Sequence, residues 1–153
     1  MASGELEVVA GSASAGLFNA TTRGLDVRLV ASKVATPKGF TSQTLIVRKH
    51  EFDQGRITKI ADLKGKAVAW GAAGSGLVIL GRYAMDGLGL DAAKDFQPVY
   101  LEKAGDGPAM VLDGRVAALW GGGTGWPGFK TVTSSPSGGR FIAPSAEETA
   151  RIL

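Results

Sequence analysis

The sequence predicts an α/β fold built on an open sheet. Three observations carry that expectation. Short β-rich runs alternate with helical stretches almost from end to end. Three of those runs pass into turns of Gly, Ala and Ser that open the next helix. No fixed-period repeat or low-complexity segment interrupts the alternation. At 153 residues the chain is the size of one domain and can bury a real core.

In order, residues 6–10 (LEVVA) read as a strand, and residues 14–22 as a helix beginning after a Ser-rich turn. Residues 27–31 (VRLVA) read as a second strand, and the Thr36-Pro37-Lys38-Gly39 break follows. Residues 44–48 (TLIVR) form a third strand, leading into a polar stretch with the single histidine, His50. Residues 61–65 (ADLKG) make one helical turn stopped by Gly, ahead of a strand over 66–70. A helix over about 75–85 places Leu77, Leu80, Tyr83 and Ala84 on one apolar face, and Gly87 and Gly89 end it. Residues 96–101 are a strand, 108–112 a short helix and 116–120 another strand. Pro127 opens a helix to 133 from a first-turn position, where its missing N–H costs nothing. Residues 141–143 are the last strand, and Ser145 with Glu148 has capping-box spacing for a final helix.

Composition narrows the function classes. Gly is the outlier at 23 residues, roughly twice its usual share of about 7%, which implies tight turns or close backbone approaches. The 17 basic and 14 acidic residues are interspersed, so no dense basic stripe invites nucleic acid. Without cysteine there is no disulfide or thiolate metal site, and one histidine with unclustered carboxylates predicts no metal and no cofactor. No apolar run nears the ~20 residues of a membrane helix. No charged start with an apolar run opens the chain, so the expectation for the chain as written is no signal peptide and a cytoplasmic location.

The chemistry centres on three segments of one design: 8–16 (VVAGSASAG), 69–76 (AWGAAGSG) and 119–125 (LWGGGTG). Each is a strand, a turn of small residues and a helix start. Open α/β sheets bind ligands beyond the carboxyl ends of their strands, where helix N-termini present unpaired N–H groups. Ser12, Ser14, Ser75 and Thr124 add hydroxyls, so such turns can hold a carboxylate, sulfonate or phosphate without a dedicated cation. Taken singly, each reads first as a tight βα connection with a Ser cap; three in one chain reverse that and favour a ligand site. Nucleotide motifs fail: Gly76 is followed by Leu77 and Val78 rather than the Lys-Ser/Thr of a P-loop, and Ile79 stands where a dinucleotide fold places its third Gly. A nucleophile elbow at Ser14 with His50 as base, oriented by Glu51 or Asp53, defines a hydrolase alternative. Trp70, Trp120 and Trp126 flank the turns. They are core residues or, for Trp120 and Trp126 above all, a rim for an organic ligand.

The runs GSASAGLFNATTRGLDVRLVAS, TPKGFTSQTLIVRK and ITKIADLKGKAVAWGAAGSG resemble solute receptors of the thiamine-precursor, sulfonate and nitrate ABC-importer type. DGRVAALWGGGTGWPGF and GGRFIAPSAEE are similar to that group, and also to the TAXI receptors of TRAP transporters. The resemblance implies the type II periplasmic binding-protein fold, two-lobed and closing on a small anionic or heterocyclic solute. It implies one lobe largely complete and part of the other: residues 1–42 as first-lobe remnant and crossover, 43–153 as second lobe. The implied ligand residues are Ser12, Ala13 and Ser14; Gly74, Ser75 and Gly76; and Gly121, Gly122, Gly123 and Thr124, with Trp120 and Trp126 at the rim. Phe40, Thr41 and Ser42 would lie at the crossover. Complete receptors of this group are about twice as long, so a truncated form is expected, with an unpaired edge that favours a homodimer or higher oligomer. The expected partners are the solute and, for the full-length family, membrane transporter subunits. A third reading is an orphan fragment without ligand, stabilised by self-association.

Overall fold

The computed structural model describes residues 5, 7–8, 15–28, 30–31, 43–103 and 105–152. Five strands form one mixed sheet: β1 (Thr44–Arg48), β2 (Ala67–Ala72), β3 (Gln97–Leu101), β4 (Ala118–Gly121) and β5 (Gly139–Ile142), in the order β3-β2-β4-β1-β5. β2 is parallel to β3 and β4, while β1 runs antiparallel to β4 and β5. The helices are α1 (Ala15–Thr22), α2 (Lys49–Asp53), α3 (Gly76–Gly87), α4 (Asp106–Leu112), α5 (Pro127–Thr133) and α6 (Ala146–Ile152), with a 3-10 turn at Ile60–Leu63. This is the open α/β sheet that the alternating pattern predicts.

Both faces of the sheet are covered, which is why the central strands read as continuous apolar runs rather than alternating ones. In β1, Leu45 and Val47 point to one face and Ile46 to the other. The first face packs Val68, Trp70 and Trp120 against Val78 and Met85 of α3, with Ile57, Ile60, Leu63 and Phe96. The second packs Ala69, Leu101 and Leu119 against Val111 of α4 and Phe129 and Val132 of α5. Edge strand β3 carries Pro98, and the ladder explains how. The Gln97 N–H donates to the Lys66 carbonyl (2.9 Å), so the next residue's nitrogen faces away from the sheet, where a proline removes no ladder bond.

β1 and α5 fall on the predicted residues, and the capping box forms reciprocally: the Ser145 N–H donates to Glu148 Oε2 (2.8 Å) and the Glu148 N–H to Ser145 Oγ (3.2 Å). Other expectations are corrected. Val27, Arg28, Val30 and Ala31 belong to no strand, and Val30 is 81% exposed. Among the described residues no ladder partner reaches them, and an isolated run cannot satisfy its backbone. Glu7 and Val8, within the first predicted strand, are likewise not in one, and the rest of that run lies outside the described residues. The apolar face of α3 is rotated. Val78, Gly81 and Met85 are buried with Leu77 and Ala84 beside them, whereas Leu80 and Tyr83 are 46% and 69% exposed.

Candidate functional site

The strand directions bring several turns to one edge of the sheet. Thr44, where β1 begins, pairs with Gly121, where β4 ends, and Leu45 pairs with Ile142 at the end of β5. The carboxyl ends of β2 and β3 lie on the same side, because both are parallel to β4. Turns 73–75 and 122–126 therefore share this edge with the approach to Thr44.

Between them the sheet opens. β2 and β4 pair only at Val68–Ala118 and Ala69–Leu119. Beyond that point β2 stays with β3 as far as Ala72–Leu101, and β4 with β1 as far as Thr44–Gly121. From the two diverging ends, α3 leaves over one face and α5 over the other. That is a topological switch point, the place where open α/β sheets take their ligands.

The β2 side of the crevice is shaped by a bulge. The β2–β3 register slips between Ala69 and Gly71, making Trp70 the extra residue, and Gly71 takes φ +106°. Gly74 takes φ +73°, and the Ser75 N–H donates to the Ala72 carbonyl (3.0 Å), closing the turn before α3. Ser75 is the N-cap residue, yet its hydroxyl caps nothing; Oγ is buried without a partner. The first amides of α3 have no intrahelical acceptor and face this edge.

On the β4 side, glycine serves packing. A Cβ on Gly121 would meet Phe129 Cζ at 2.7 Å and Trp126 Cζ3 at 3.0 Å, and one on Gly128 would meet Trp126 Cη2 at 2.5 Å. Trp126 thus folds back over the start of α5, edge-on to Phe129 at 5.1 Å. Its ring also lines a groove of about 490 Å³ with Pro108, Leu112, Pro127 and Thr131. Gly123 is half-buried and Thr124 exposed at the tip of the turn. Trp120 is 7% exposed, with its indole N–H donating to the Leu77 carbonyl (2.9 Å), so it joins β4 to α3 within the core. Trp70 is 2% exposed, packed against Phe96 and Trp120.

Of the predicted site residues, Gly74, Ser75, Gly76, Trp120, Gly121, Gly122, Gly123, Thr124 and Trp126 stand along this edge. Ser12, Ala13, Ser14, Phe40, Thr41 and Ser42 lie outside the described residues. No side chain in the two turns is ionisable. The resolved carboxylate shifts lie in the remaining segments. The largest is Glu51, held at about 2 chiefly by the Arg56 guanidinium, against which its desolvation works in the opposite sense. His50 sits in α2, beyond the far end of β1 from Thr44, with Nε2 3.0 Å from Glu51 Oε1. It is a half-exposed surface side chain beside Glu51, and the hydrolase alternative finds no support. Among the described residues no cluster of His, Asp or Glu could hold a metal ion. The bulge at Trp70 had no signature in sequence, because it arises from strand register.

A family model described as NMT1/THI5 like matches residues 1–145. No curated protein matches the chain. Among solved structures, the periplasmic aliphatic sulphonate binding protein SsuA from Escherichia coli is similar at 28% identity and TM-score 0.53, over 66% of this chain and 31% of that one. The alkanesulfonate-binding protein SsuA from Xanthomonas axonopodis pv. citri, bound to MOPS, matches at 24% identity and TM-score 0.50, over 67% of this chain and 32% of that one. A putative sulfonate-binding SsuA from Methylobacillus flagellatus matches at 22% and TM-score 0.52, over 67% and 27%. The chain therefore spans about a third of the length of these receptors, and the sheet is that of their type II periplasmic binding-protein fold.

Proposed function

The chain belongs to the NMT1/THI5-like family, and on that premise we propose that it is the solute-binding lobe of an ABC-importer receptor, taking a small anionic organic solute at the crevice between β2 and β4. The observation that carries this reading is the crevice itself. Two strands part at a switch point, and the turns that follow them offer main-chain donors with no ionisable side chain. Neutral, fixed donors at the start of the 12-residue α3 suit an oxyanion head group. Gly74, Ser75 and Gly76 would bind that group from one side and Gly122, Gly123 and Thr124 from the other. The apolar groove beside Trp126 would take the organic part. Ser12, Ala13 and Ser14 would complete the site from the first-lobe segment, residues 1–42, with residues 43–153 as the second lobe. Transporter subunits are the expected membrane partners.

A thermal-shift panel of methanesulfonate, longer alkanesulfonates, dicarboxylates, pyrimidines and nitrate tests the reading. A solute at 100-fold over its dissociation constant adds about 2.7 kcal/mol of stability, a readily measured rise. A panel without a single shift sinks the proposal. Ile79, Leu80 and Tyr83 leave an apolar stripe exposed on α3, which supports self-association into a homodimer or higher oligomer. A monomeric mass by light scattering at micromolar concentration removes that part.

A further inference from the structure

Among the described residues from Gln43 onward, the large hydrophobic side chains left exposed are Ile79, Leu80 and Tyr83 of α3 and Tyr100 of β3. All stand on one side of the sheet. α3 packs over β2 and β4, so the face of edge strand β3 beside it is left open. Val99 and Leu101 pack on the opposite face, which turns Tyr100, between them, to the side of α3. Single exposed hydrophobics are ordinary, but an apolar stripe along the solvent side of a helix marks an interaction surface.

The charges on that surface bear on what covers it. Arg82 and Asp86 are the charged side chains of α3. Both are exposed, they lie about one turn apart on the same flank of the stripe, and neither enters an ion pair among the described residues. Within one helix, a cation four places ahead of an anion is the weaker order for such a pair. Between two copies the arrangement differs. When identical helices pair antiparallel about a two-fold axis, like flanks adjoin, and a residue before the axis faces one equally far after it. An axis at the level of Ala84 sets Arg82 opposite Asp86 of the partner subunit, and Asp86 opposite the partner's Arg82. Tyr83, the most exposed residue of the stripe, then falls beside the axis, where it meets its own copy.

We infer that the solvent side of α3 is a homodimer interface, in which two copies pair these helices antiparallel, with Tyr83 at the centre and reciprocal Arg82–Asp86 ion pairs beside it. The inference rests on the self-association proposed above and gives it a surface, a symmetry and an orientation.

The test is light scattering of the full chain and its variants at micromolar concentration. The parent chain is expected at the mass of a dimer. Tyr83→Ala removes the central ring, while Arg82→Asp and Asp86→Arg each turn both cross-pairs into like-charge contacts. Each is expected to weaken dimerisation at least tenfold, because like charges juxtaposed at an interface repel strongly. An equimolar mixture of the Arg82→Asp and Asp86→Arg chains is expected to recover the dimer, since an aspartate then faces an arginine at both crossings. The Arg82→Asp/Asp86→Arg double variant should recover it too. A variant that merely misfolded would not be rescued by mixing. Single variants that keep the parent's mass overturn this inference and leave self-association to another surface. A mixture and a double variant that both stay monomeric overturn it as well, because the charges then do not cross-pair. A monomeric parent chain overturns the self-association reading with it.

Discussion

Gly81 sets how closely α3 can lie on the sheet. A Cβ there would stand 2.9 Å from Trp70 Cε3, 3.2 Å from its Cζ3 and 3.3 Å from Trp120 Nε1. Both rings are buried, at 2% and 7% exposed, and Trp120 is tied to Leu77, so neither can swing aside. Ala is a better helix former than Gly by about 1 kcal/mol, but forcing a methyl into a packed interface costs about 1–3 kcal/mol. With both rings held, the cost lies at the upper end of that range and packing wins, so Gly81→Ala should lower stability by up to about 2 kcal/mol in urea unfolding. Gly125 is the counterpart in the other turn: nothing lies within 4 Å of its would-be Cβ, and its φ is not positive. Gly125→Ala should leave the urea midpoint within error. If both variants behave alike, close approach is not what Gly81 provides.

α6 shows what an element owes to its ends. It has seven residues, well below the ~12–15 that an isolated helix needs in water. Two features hold it: the Ser145–Glu148 capping box, and the docking of Ile152 on Gly87, where an added Cβ would come within 2.8 Å of the Ile152 backbone. Ser145→Ala removes the acceptor of the Glu148 N–H and should cost about 1 kcal/mol. Amide exchange over residues 148–152 should quicken while that of β1 is unchanged; equal acceleration in both would mean that α6 does not open separately. This cap was legible in sequence because every group in it lies within four residues. α5 was legible too, from Pro127 at its start. The face of α3 was misread for a physical reason: its closest contact with the sheet is a glycine, and apolar periodicity assigns glycine no side. The same holds for the site. Its turns could be read as small-residue turns after strands. The crevice could not, since it depends on where β2 stops pairing with β4, and the strand order 3-2-4-1-5 is set by contacts remote in sequence.

At the scale of the whole molecule, the end of the sheet opposite the crevice is held by charge. Arg48, at the end of β1, donates to the carbonyls of Val111 (3.0 Å) and Val116 (3.4 Å), tying the α4–β4 connection to the centre of the sheet. Glu51 holds Arg48 at 3.6 Å and takes both Arg56 Nε (2.7 Å) and Nη2 (3.0 Å), with its side chain 16% exposed. The Arg56 bonds, foremost, keep the Glu51 carboxyl at about 2 against an ordinary 4.5. A carboxyl lowered on folding contributes stability that is complete above its unfolded pKa, and that is lost as pH falls from about 4.5 through about 2. The shift corresponds to roughly 3 kcal/mol at most, and screening at this partly exposed cluster reduces that to about 1–2 kcal/mol. Asp53, Asp62, Asp91, Asp113 and Glu148 are lowered as well, so acid weakens the fold at several places. Glu51→Gln should therefore cost about 1–2 kcal/mol at pH 7 and little below pH 2, with a shallower fall in melting temperature between pH 4.5 and 2 than the parent chain shows. Parallel curves for the two proteins would mean that Glu51 contributes nothing through its charge. Because the cluster sits at the far edge from turns 73–75 and 122–126, the same substitution should leave methanesulfonate affinity at pH 7 unchanged, separating what holds the lobe together from what it holds.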